Sequence, residues 1–412
     1  MSLPLYIDPG TGSMLFSLFI GIIAAGSFGL RALYLKLKFV FNGGKTEKSE
    51  IAKRVPFVIF SDHRRYWNVF KPVCDEFERR GIDAVFYTAS ADDPALSAGY
   101  RHIRAEYLGE GNRPYARLNM LCADILLATT PGLDVYQWKR SRNVKCYVHI
   151  PHTADDLAGY RMFGLDYYDA VLTTGRNQDL LIRKIESLRP GIKRKELCTA
   201  GSVPLDALKR RLDGRKRRGR QGPPVVLVAP SWGKSGILSR YGAELLSALR
   251  GTGFEIIVRP HPQTVVSERD VLEPLEGRFK DIGWNYDNDN FDVLDRADIL
   301  ISDFSGIIFD YVLVFDKPLI YADTDFDTLP YDADWLDEPI WSFRVLPRLG
   351  IPLKQGDFPV IGDIIRRAVE SNELQAARQE VREECWAHIG ESAKNVVEWL
   401  VEKEKTLTGG NK

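Results

Sequence analysis

Short apolar runs alternate with amphipathic segments along the chain after residue 54. Residues 55–60 (VPFVIF) are almost wholly apolar, which is typical of a strand buried on both faces of a parallel sheet. Residues 69–80 have apolar positions at helical spacing and precede Gly81, which predicts a helix that ends there. Together with the further strand patterns, this alternation predicts a doubly wound, Rossmann-like α/β domain. Those strand patterns are residues 82–88, 124–130, 144–150 and 169–175.

A second series of strand patterns begins near Pro223, and it predicts a second parallel-sheet domain. Its strands are predicted at residues 225–229, 254–258, 298–302 and 318–322. Residues 209–221 (KRRLDGRKRRGRQ) are basic and contain little apolar character. They favour an interdomain linker or an exposed loop, with contact to anionic lipid as an alternative role. The predicted organisation is an anchor and tether at 1–45, a first α/β domain at 46–208, a linker at 209–222, a second α/β domain at 223–370 and a helical segment at 371–412.

The stretch from Asp298 to Asp323 predicts a strand, a tight turn, a helix and a second strand. Small and polar residues form the turn, and an apolar helix follows it. The first amides of a helix have no intrahelical partners and carry the positive end of the dipole, so a turn of small residues lets a phosphate approach them. The alternative is that Ser302, Asp303 or Ser305 only caps the helix.

A histidine between two prolines, in the sequence RPHP at residues 259–262, directly follows the strand pattern FEIIV. Open α/β sheets bind ligands at the carboxyl ends of their strands, which is where His261 is predicted to lie. The prolines restrict the backbone on either side of it. His261 is therefore predicted to be a site residue.

The RPHP motif and the later SDFSGIIFDYVLVFDKPLIY resemble the C-terminal domain of the CDP-glycerol glycerophosphotransferase family, the teichoic-acid primases and polymerases. APSW at residues 229–232 and AGSVPLD at residues 200–206 are similar to further segments of that family, with Leu205 where Arg is commoner. The resemblance covers roughly residues 145–325. It implies two domains in a GT-B arrangement, and a CDP-alcohol donor bound by the second domain. The donor-contacting residues that it and the turn pattern indicate are Arg259, Ser302, Asp303, Ser305, Gly306, Ile307 and Asp310.

The first domain departs from the family pattern. Where the family carries a Trp-His-Gly-Thr-Pro type of motif, this chain reads YVHIPHTADDLAGY. The resemblance implies that His152 is the general base that deprotonates the acceptor hydroxyl, a role suited to the ordinary pKa of histidine. His149 falls within the predicted strand, which favours a structural role. Asp155 and Asp156 are candidates for the acceptor side or for helix capping, and residues 61–68 (SDHRRYWN) are assigned to the acceptor side as well.

Residues 14–30 contain no charged side chain, and extension past Arg31 gives about 20 residues, enough to span a bilayer. Arg31, Lys36 and Lys38 follow this segment and no basic residue precedes it. That order argues against a cleavable signal peptide and predicts a single-pass or peripheral membrane anchor with the body of the protein in the cytoplasm. A helix lying in the membrane interface, or buried in a partner, is the alternative.

Composition restricts the remaining classes of function. The formal net charge is zero, so overall charge gives no reason to expect a nucleic-acid partner. The five cysteines lack metal-ligand spacing, and there is no glycine-rich dinucleotide motif, so no metal or cofactor is predicted. GKS at residues 233–235 is not a P-loop, because Val228 stands where its first glycine is required.

The sequence thus predicts a membrane-associated transferase. It would move glycerol phosphate, or a related phospho-alcohol, from CDP-glycerol to a lipid-linked or glycan acceptor of the teichoic-acid type. His261 would stabilise charge on the donor diphosphate. The alternatives are a glycosyltransferase that uses a nucleotide sugar, since the same fold serves both reactions, and a non-catalytic nucleotide-binding scaffold of envelope synthesis.

Overall fold

Two parallel β-sheets organise the computed structural model, which describes residues 54–155, 157–161, 163–215, 222–287, 289–322 and 339–409. From Val55 onward the described chain forms one unit. Every strand pair in both sheets is parallel, and nearly all strand residues in the middle of each sheet are buried. The prediction of two parallel-sheet α/β domains is confirmed.

The first sheet has seven strands in the order β3-β2-β1-β4-β5-β6-β7. The order reverses at β1, where the chain crosses from one half of the sheet to the other. Such a reversal opens a crevice at the carboxyl ends of the strands, and ligands bind there in open α/β sheets. The strands are β1 (Val55–Ser61), β2 (Ala84–Thr88), β3 (Ile103–Tyr107), β4 (Ala123–Ala128), β5 (Val144–His149), β6 (Ala170–Thr173) and β7 (Glu196–Thr199).

The second sheet has six strands in the order β10-β9-β8-β11-β12-β13. Its reversal lies between β8 and β11, so the chain segments that leave these two strands meet at the same crevice. The strands are β8 (Val225–Val228), β9 (Glu255–Val258), β10 (Gly283–Trp284), β11 (Ile299–Ser302), β12 (Leu319–Ala322) and β13 (Ile351–Leu353).

Helices cover both faces of each sheet. The first predicted helix ends as expected, because Gly81 takes a left-handed conformation (φ 66°) whose amide caps the last turn. Around the first sheet lie α1 (Trp67–Arg80), α2 (Arg113–Leu118), α3 (Arg176–Leu188) and α4 (Val203–Asp213). Around the second lie α5 (Ile237–Arg250), α6 (Pro262–Ser267), α7 (Arg269–Arg278), α8 (Phe291–Arg296), α9 (Ile307–Phe309, continued as a π-helix over Asp310–Phe315), α10 (Trp341–Leu349) and α11 (Ile361–Glu370).

Helix α4 and the C-terminal helices connect the two halves. Val203 packs in the apolar cluster of the first sheet, whereas Leu205 and Leu208 pack in that of the second. Helix α4 continues through Asp213, so the beginning of the predicted basic linker is helical. After α12 (Gln375–Cys385), helix α13 (Ser392–Thr408) returns to the first sheet and buries Val396, Val397 and Leu400 there.

Asp206 stabilises this connection between the two halves. Its buried carboxylate accepts hydrogen bonds from the Trp386 indole N–H (2.9 Å), the Gly390 amide (2.8 Å) and the Ser392 amide (2.9 Å). The aspartate of the AGSVPLD segment therefore joins α4 to the turn that leads into α13.

Replacing Asp206 by alanine should lower the free energy of unfolding by roughly 3–5 kcal/mol, because three donors, two of them buried, lose their acceptor. Urea unfolding of the purified protein measures this change. Asp213→Ala, in the same helix, removes an exposed ion pair with Lys209 and should cost less than about 0.5 kcal/mol. Equal losses in the two variants would contradict the anchoring role of Asp206.

The predicted membrane segment at residues 14–30 lies outside the described residues, as does the rest of the chain before Arg54. Within the described ranges, no helix combines the length and apolar character that a bilayer crossing requires.

Candidate active site between the two sheets

A cavity of about 260 Å³ lies where the two sheets face each other. The first domain supplies the segment that follows β5, and the second supplies the segments that follow β8, β9 and β11. Parallel strands of both sheets thus direct their carboxyl ends toward one space, as the fold predicts. The side chains at its wall include Thr153, Asp155, Tyr160, Ser231, Trp232, His261, Phe304, Ser305 and Phe343.

The turn after β11 presents Ser305 and Gly306 to this cavity. Gly306 has φ −58°, which any residue can adopt, and it lies opposite the first domain. A Cβ atom built on it would be 3.9 Å from both the Thr153 hydroxyl and an Asp155 carboxylate oxygen. The glycine therefore leaves a narrow opening between the two domains, and the Thr153 hydroxyl donates to Asp155 (2.7 Å) on the other side of it.

Ser302 and Asp303, predicted to contact phosphate, are buried beneath the turn and bind protein groups instead. The Ser302 hydroxyl donates to the Ala229 carbonyl (2.6 Å). Asp303 accepts from the amides of Ser231 (2.8 Å), Ile237 (2.9 Å) and Phe304 (2.7 Å). Through these hydrogen bonds the two side chains hold the turn against the loop that follows β8. Ser302 and Asp303 therefore have a structural role in this geometry.

Ile307 and Asp310 lie on α9, behind the turn. Ile307 packs against the apolar core, and neither side chain reaches the cavity wall. Asp310 begins the π-helical part of α9, and burial raises its pKa to about 6 even though Asn290 donates to it (3.2 Å). Asp310 therefore supports the helix from inside and does not line the cavity.

Arg259 and His261 leave β9 in different directions. The Arg259 guanidinium donates to Asn285 and to the Asp287 carbonyl (2.8 Å), away from the cavity, so its predicted contact with phosphate is absent from this geometry. His261 lines the cavity and also caps α6, because its Nδ1 accepts from the Gln263 amide (3.1 Å). That bond fixes the proton on Nε2, which remains available to a ligand.

His152 lies beside the cavity, next to Tyr160. The two rings are stacked with centroids 5.6 Å apart, and the centroid of the tilted Tyr66 ring lies 4.9 Å from that of His152. The hydroxyls of Tyr160 (2.9 Å) and Thr129 (3.3 Å) both lie within hydrogen-bonding distance of Nδ1. Burial, assisted by the positive charge of Arg65, lowers the pKa of His152 to about 4. The imidazole is therefore neutral at neutral pH, as a general base must be, and Nε2 is the atom left for proton exchange.

His149 is fully buried at the end of β5 and packs edge-on against Tyr160 and Tyr168. Within the described part of the chain, neither of its ring nitrogens has a hydrogen-bond partner. His149 therefore occupies the core without the hydrogen bonds that a buried polar side chain usually makes. Burial lowers its pKa from 6.5 to about 3, with a further contribution from His152.

His149 should make the protein sensitive to acid. Between about pH 6.5 and pH 3 the unfolded chain binds a proton at this residue and the folded protein does not, so stability should fall as the pH falls. One such proton changes the free energy of unfolding by about 1.4 kcal/mol per pH unit, and this change is the slope of stability against pH. His149→Phe should reduce this slope in urea unfolding measured from pH 7 to pH 4, whatever its effect on stability at pH 7.

The control for this experiment is His102→Gln, since His102 is an exposed histidine beside Asp83. Of the two variants, His149→Phe should have the smaller dependence of stability on pH. An unchanged slope in His149→Phe would mean that His149 is protonated in the folded state.

Arg65 is the main residue that the structure adds to the site residues predicted from the sequence. It lies in the SDHRRYWN segment after β1, with its guanidinium over the Tyr66 ring at 4.9 Å. Its charge acts on His152 in its own domain and also on His261 in the other, where burial and Arg65 together lower the pKa. This exposed cation therefore lies close enough to both histidines for its charge to act on each of them.

Asp155 lines the cavity, whereas Asp156 lies outside the described residues. Across the described ranges, no cluster of three or more histidine, cysteine, aspartate or glutamate side chains could hold a metal ion. Phe343 lines the cavity although no motif drew attention to it, and Trp232, at the end of the APSW segment, lines the cavity although no role was predicted for it. Tyr160 belongs to the segment that was singled out, eight residues after His152, but its role depends on the fold.

The comparison with protein families gives a match over part of the chain. The sequence profile described as "CDP-Glycerol:Poly(glycerophosphate) glycerophosphotransferase" matches residues 191–335. This range contains His261 and the turn with Ser305 and Gly306, and it ends short of the first domain's histidines. No curated protein sequence matches the chain.

Solved structures share the fold over most of the chain. A structure of the wall teichoic acid polymerase TagF aligns with a TM-score of 0.58 at 13% identity, covering 92% of this chain and 98% of that one. A putative UDP-N-acetylglucosamine 2-epimerase from Listeria monocytogenes aligns with a TM-score of 0.56 at 11% identity, covering 87% of this chain and 98% of that one. The UDP-GlcNAc 2-epimerase of Neisseria meningitidis aligns with a TM-score of 0.54 at 13% identity, covering 85% of this chain and 100% of that one.

At such low identities these structures establish the architecture alone, two parallel-sheet domains facing across a cleft. The family profile supplies the more specific relationship, and its match falls on the half of the molecule that carries His261 and the Ser305 turn. The predicted resemblance is therefore confirmed: over residues 191–335 this chain is similar to the CDP-glycerol glycerophosphotransferase family.

Proposed function

We propose that this protein transfers glycerol phosphate, or a closely related phospho-alcohol, from CDP-glycerol to a hydroxyl group of a teichoic-acid-type acceptor. One observation carries the proposal. A single interdomain cavity brings together His261, the Ser305–Gly306 turn and, beside it, the neutral His152. This arrangement suits a reaction that needs a base on one side and charge neutralisation on the other.

In this reaction the acceptor oxygen attacks the phosphorus that bears glycerol, and the bond from that phosphorus to the bridging oxygen of CMP breaks. His152 accepts the proton of the acceptor hydroxyl at Nε2. His261, through Nε2–H, and Arg65 stabilise the negative charge that collects on the departing CMP. The amides of the Ser305 turn hold the oxygens of the transferred group.

Binding of nucleotides to the full-length protein in detergent tests the choice of donor. Melting temperature is measured with CDP-glycerol, CDP-ribitol, CDP-choline, UDP-glucose and UDP-GlcNAc at equal concentrations, because a ligand that binds the folded state raises it. CDP-glycerol should give the largest rise and should release CMP when acceptor is added. Preference for a nucleotide sugar would support the glycosyltransferase alternative. Nucleotide binding without any release of CMP would support the scaffold.

Gly306→Val should weaken donor binding by about tenfold or more. The backbone at Gly306 accepts a side chain, so the fold should survive, but a branched group would enter the opening beside Thr153 and Asp155. Calorimetry with CDP-glycerol measures the change. Gly306→Ala adds only the Cβ atom, for which there is room at 3.9 Å, and it should lose much less. Parent-like affinity in Gly306→Val would remove this turn from the donor site.

The anchor predicted at residues 14–30 belongs to the same proposal, since it would hold the cleft near a lipid-linked acceptor at the cytoplasmic face. The support is the uncharged segment and the basic residues after it. Protease added to intact cells should leave the body of the protein uncut, and detergent should be needed to extract it. Digestion from outside would reverse the orientation, and extraction by buffer alone would exclude the anchor.

A further inference from the structure

Trp232 is exposed at the wall of the interdomain cavity and has no role in the reaction described above. Its side chain is 47% exposed and lines the cavity together with His261 and Ser305. Among the residues that the structure describes, none forms a hydrogen bond or a ring contact with this indole. A ligand that covered the indole would remove a large apolar surface from water, which is favourable. Trp232 therefore suits contact with a ligand better than a role in the core.

Carboxylates fix the backbone on both sides of Trp232. The amide of Ser231 donates to the buried Asp303 (2.8 Å), and the amide of Gly233 donates to Glu268 (2.8 Å), the N-cap residue of α7. Gly233 has φ 93°, a left-handed conformation that favours glycine. The backbone that carries the indole is therefore held in place before a ligand binds, and such preorganisation lowers the cost of binding.

The indole lies close to the turn that suits a phosphate. Trp232 is in the loop after β8, and Ser305 is in the turn after β11. These two strands are hydrogen-bonded neighbours in the second sheet, so their carboxyl ends are about 5 Å apart. A nucleotide carries its flat aromatic base one ribose away from its phosphates. A phosphate at the Ser305 turn would therefore bring the base within reach of the loop that carries Trp232.

The other aromatic rings at the cavity wall are already paired with rings of the protein. Phe304 and Phe343 stack on each other with centroids 6.0 Å apart, and Tyr160 stacks on His152. Trp232 is thus the aromatic side chain of the described wall whose ring lies against no other ring. A flat base would use the whole face of this indole, whereas a glycerol phosphate chain has no aromatic face to place on it.

We propose that Trp232 is the platform on which the base of the nucleotide donor stacks. The base would lie on the indole, and the diphosphate would extend from there to the Ser305 turn. The inference rests on the proposed function in that it assigns the nucleotide to the donor, but it does not depend on which base or which transferred group the donor carries. Every base has a π-face, so the platform contributes affinity and leaves the choice between bases to other contacts.

Calorimetry with CMP and with UMP, on the full chain in detergent and without acceptor, tests this platform. Trp232→Ala should weaken whichever nucleotide binds the parent protein by about 5- to 100-fold, because the base loses its stacking partner. Trp232→Phe keeps an aromatic ring and should lose less than about threefold. The control is Tyr286→Ala, since Tyr286 is 48% exposed in the same domain but does not line the cavity, and it should change affinity less than about twofold. Melting temperatures verify that all three variants stay folded.

Parent-like affinity in Trp232→Ala would overturn the platform, and so would equal losses in Trp232→Ala and Tyr286→Ala. A loss in Trp232→Phe as large as that in Trp232→Ala, or a parent protein that binds neither nucleotide, would overturn it as well. The outcomes separate this inference from the proposed function. Transfer from CDP-glycerol together with parent-like CMP affinity in Trp232→Ala would retain the function and lose the platform. Binding of UMP alone, weakened in Trp232→Ala, would retain the platform and lose CDP-glycerol as the donor.

Discussion

His152→Ala should slow transfer by about 10²–10⁴-fold while the protein stays folded and still binds donor. The ring is neutral at neutral pH because burial and Arg65 lower its pKa to about 4, and both neighbouring hydroxyls contact Nδ1, which leaves Nε2 for the substrate. Single-turnover rates with CDP-glycerol and acceptor measure the loss, and calorimetry with CDP-glycerol verifies that the donor site is intact. The rate of the parent protein should fall as the pH approaches 4, since protonation removes the base.

Tyr160→Phe is the companion variant, because it keeps the ring stacked on His152 and removes only the hydroxyl. A smaller loss is expected, together with an altered pH profile, since Thr129 alone would then hold Nδ1. If His152→Ala retains full activity, another group deprotonates the acceptor, and Asp155, which lines the cavity, is the next candidate. If His149→Phe instead abolishes transfer at unchanged stability, the roles of the two histidines have been exchanged.

His261→Asn should lower turnover by about 10²-fold or more with little change in donor affinity, because stabilisation of the departing CMP is needed mainly in the transition state. Asparagine is chosen because His261 also caps α6 through its Nδ1, and asparagine is a favourable capping residue. His261→Ala would lose the cap as well, at about 1 kcal/mol of stability. The measurements are kcat with saturating CDP-glycerol, its dissociation constant and the melting temperature.

Two results would contradict this role for His261. A dissociation constant that rises as much as kcat falls would make it a ground-state binding residue. Unchanged turnover in His261→Asn would leave Arg65 as the group that neutralises the leaving phosphate, and Arg65→Ala would then show the larger loss.

The interior of the fold could be predicted from the sequence because it depends on local pattern. All nine strands predicted from apolar runs exist, and every one of them lies inside its sheet. Parallel strands buried on both faces must be apolar along their whole length, so one window of sequence is enough to recognise them. The RPHP motif and the Ser305 turn were found for a related reason, since proline and small residues constrain the backbone wherever they stand.

Four strands were missed, and all four are edge strands: β3, β7, β10 and β13. Their residues are largely exposed or half-buried, so they lack the continuous apolar run that identifies an inner strand. A segment becomes an edge strand because a neighbouring strand offers free backbone groups, and that neighbour is distant in sequence. Whether such a segment forms a strand is therefore determined only in the assembled sheet.

The same distinction, between local sequence pattern and tertiary contacts, applies to the residues of the candidate site. The residue types that could serve it were visible in the sequence, but the partner of each side chain was set by segments far along the chain. Arg259 binds Asn285, Asp303 binds the loop after β8, and the charge of Arg65 acts on two histidines from different domains. Local sequence determined which strands end in turns rich in proline or small residues. The three-dimensional packing determined which side chains face the cavity, because a hydrogen bond or an electric field depends on distance in space and not on separation along the chain.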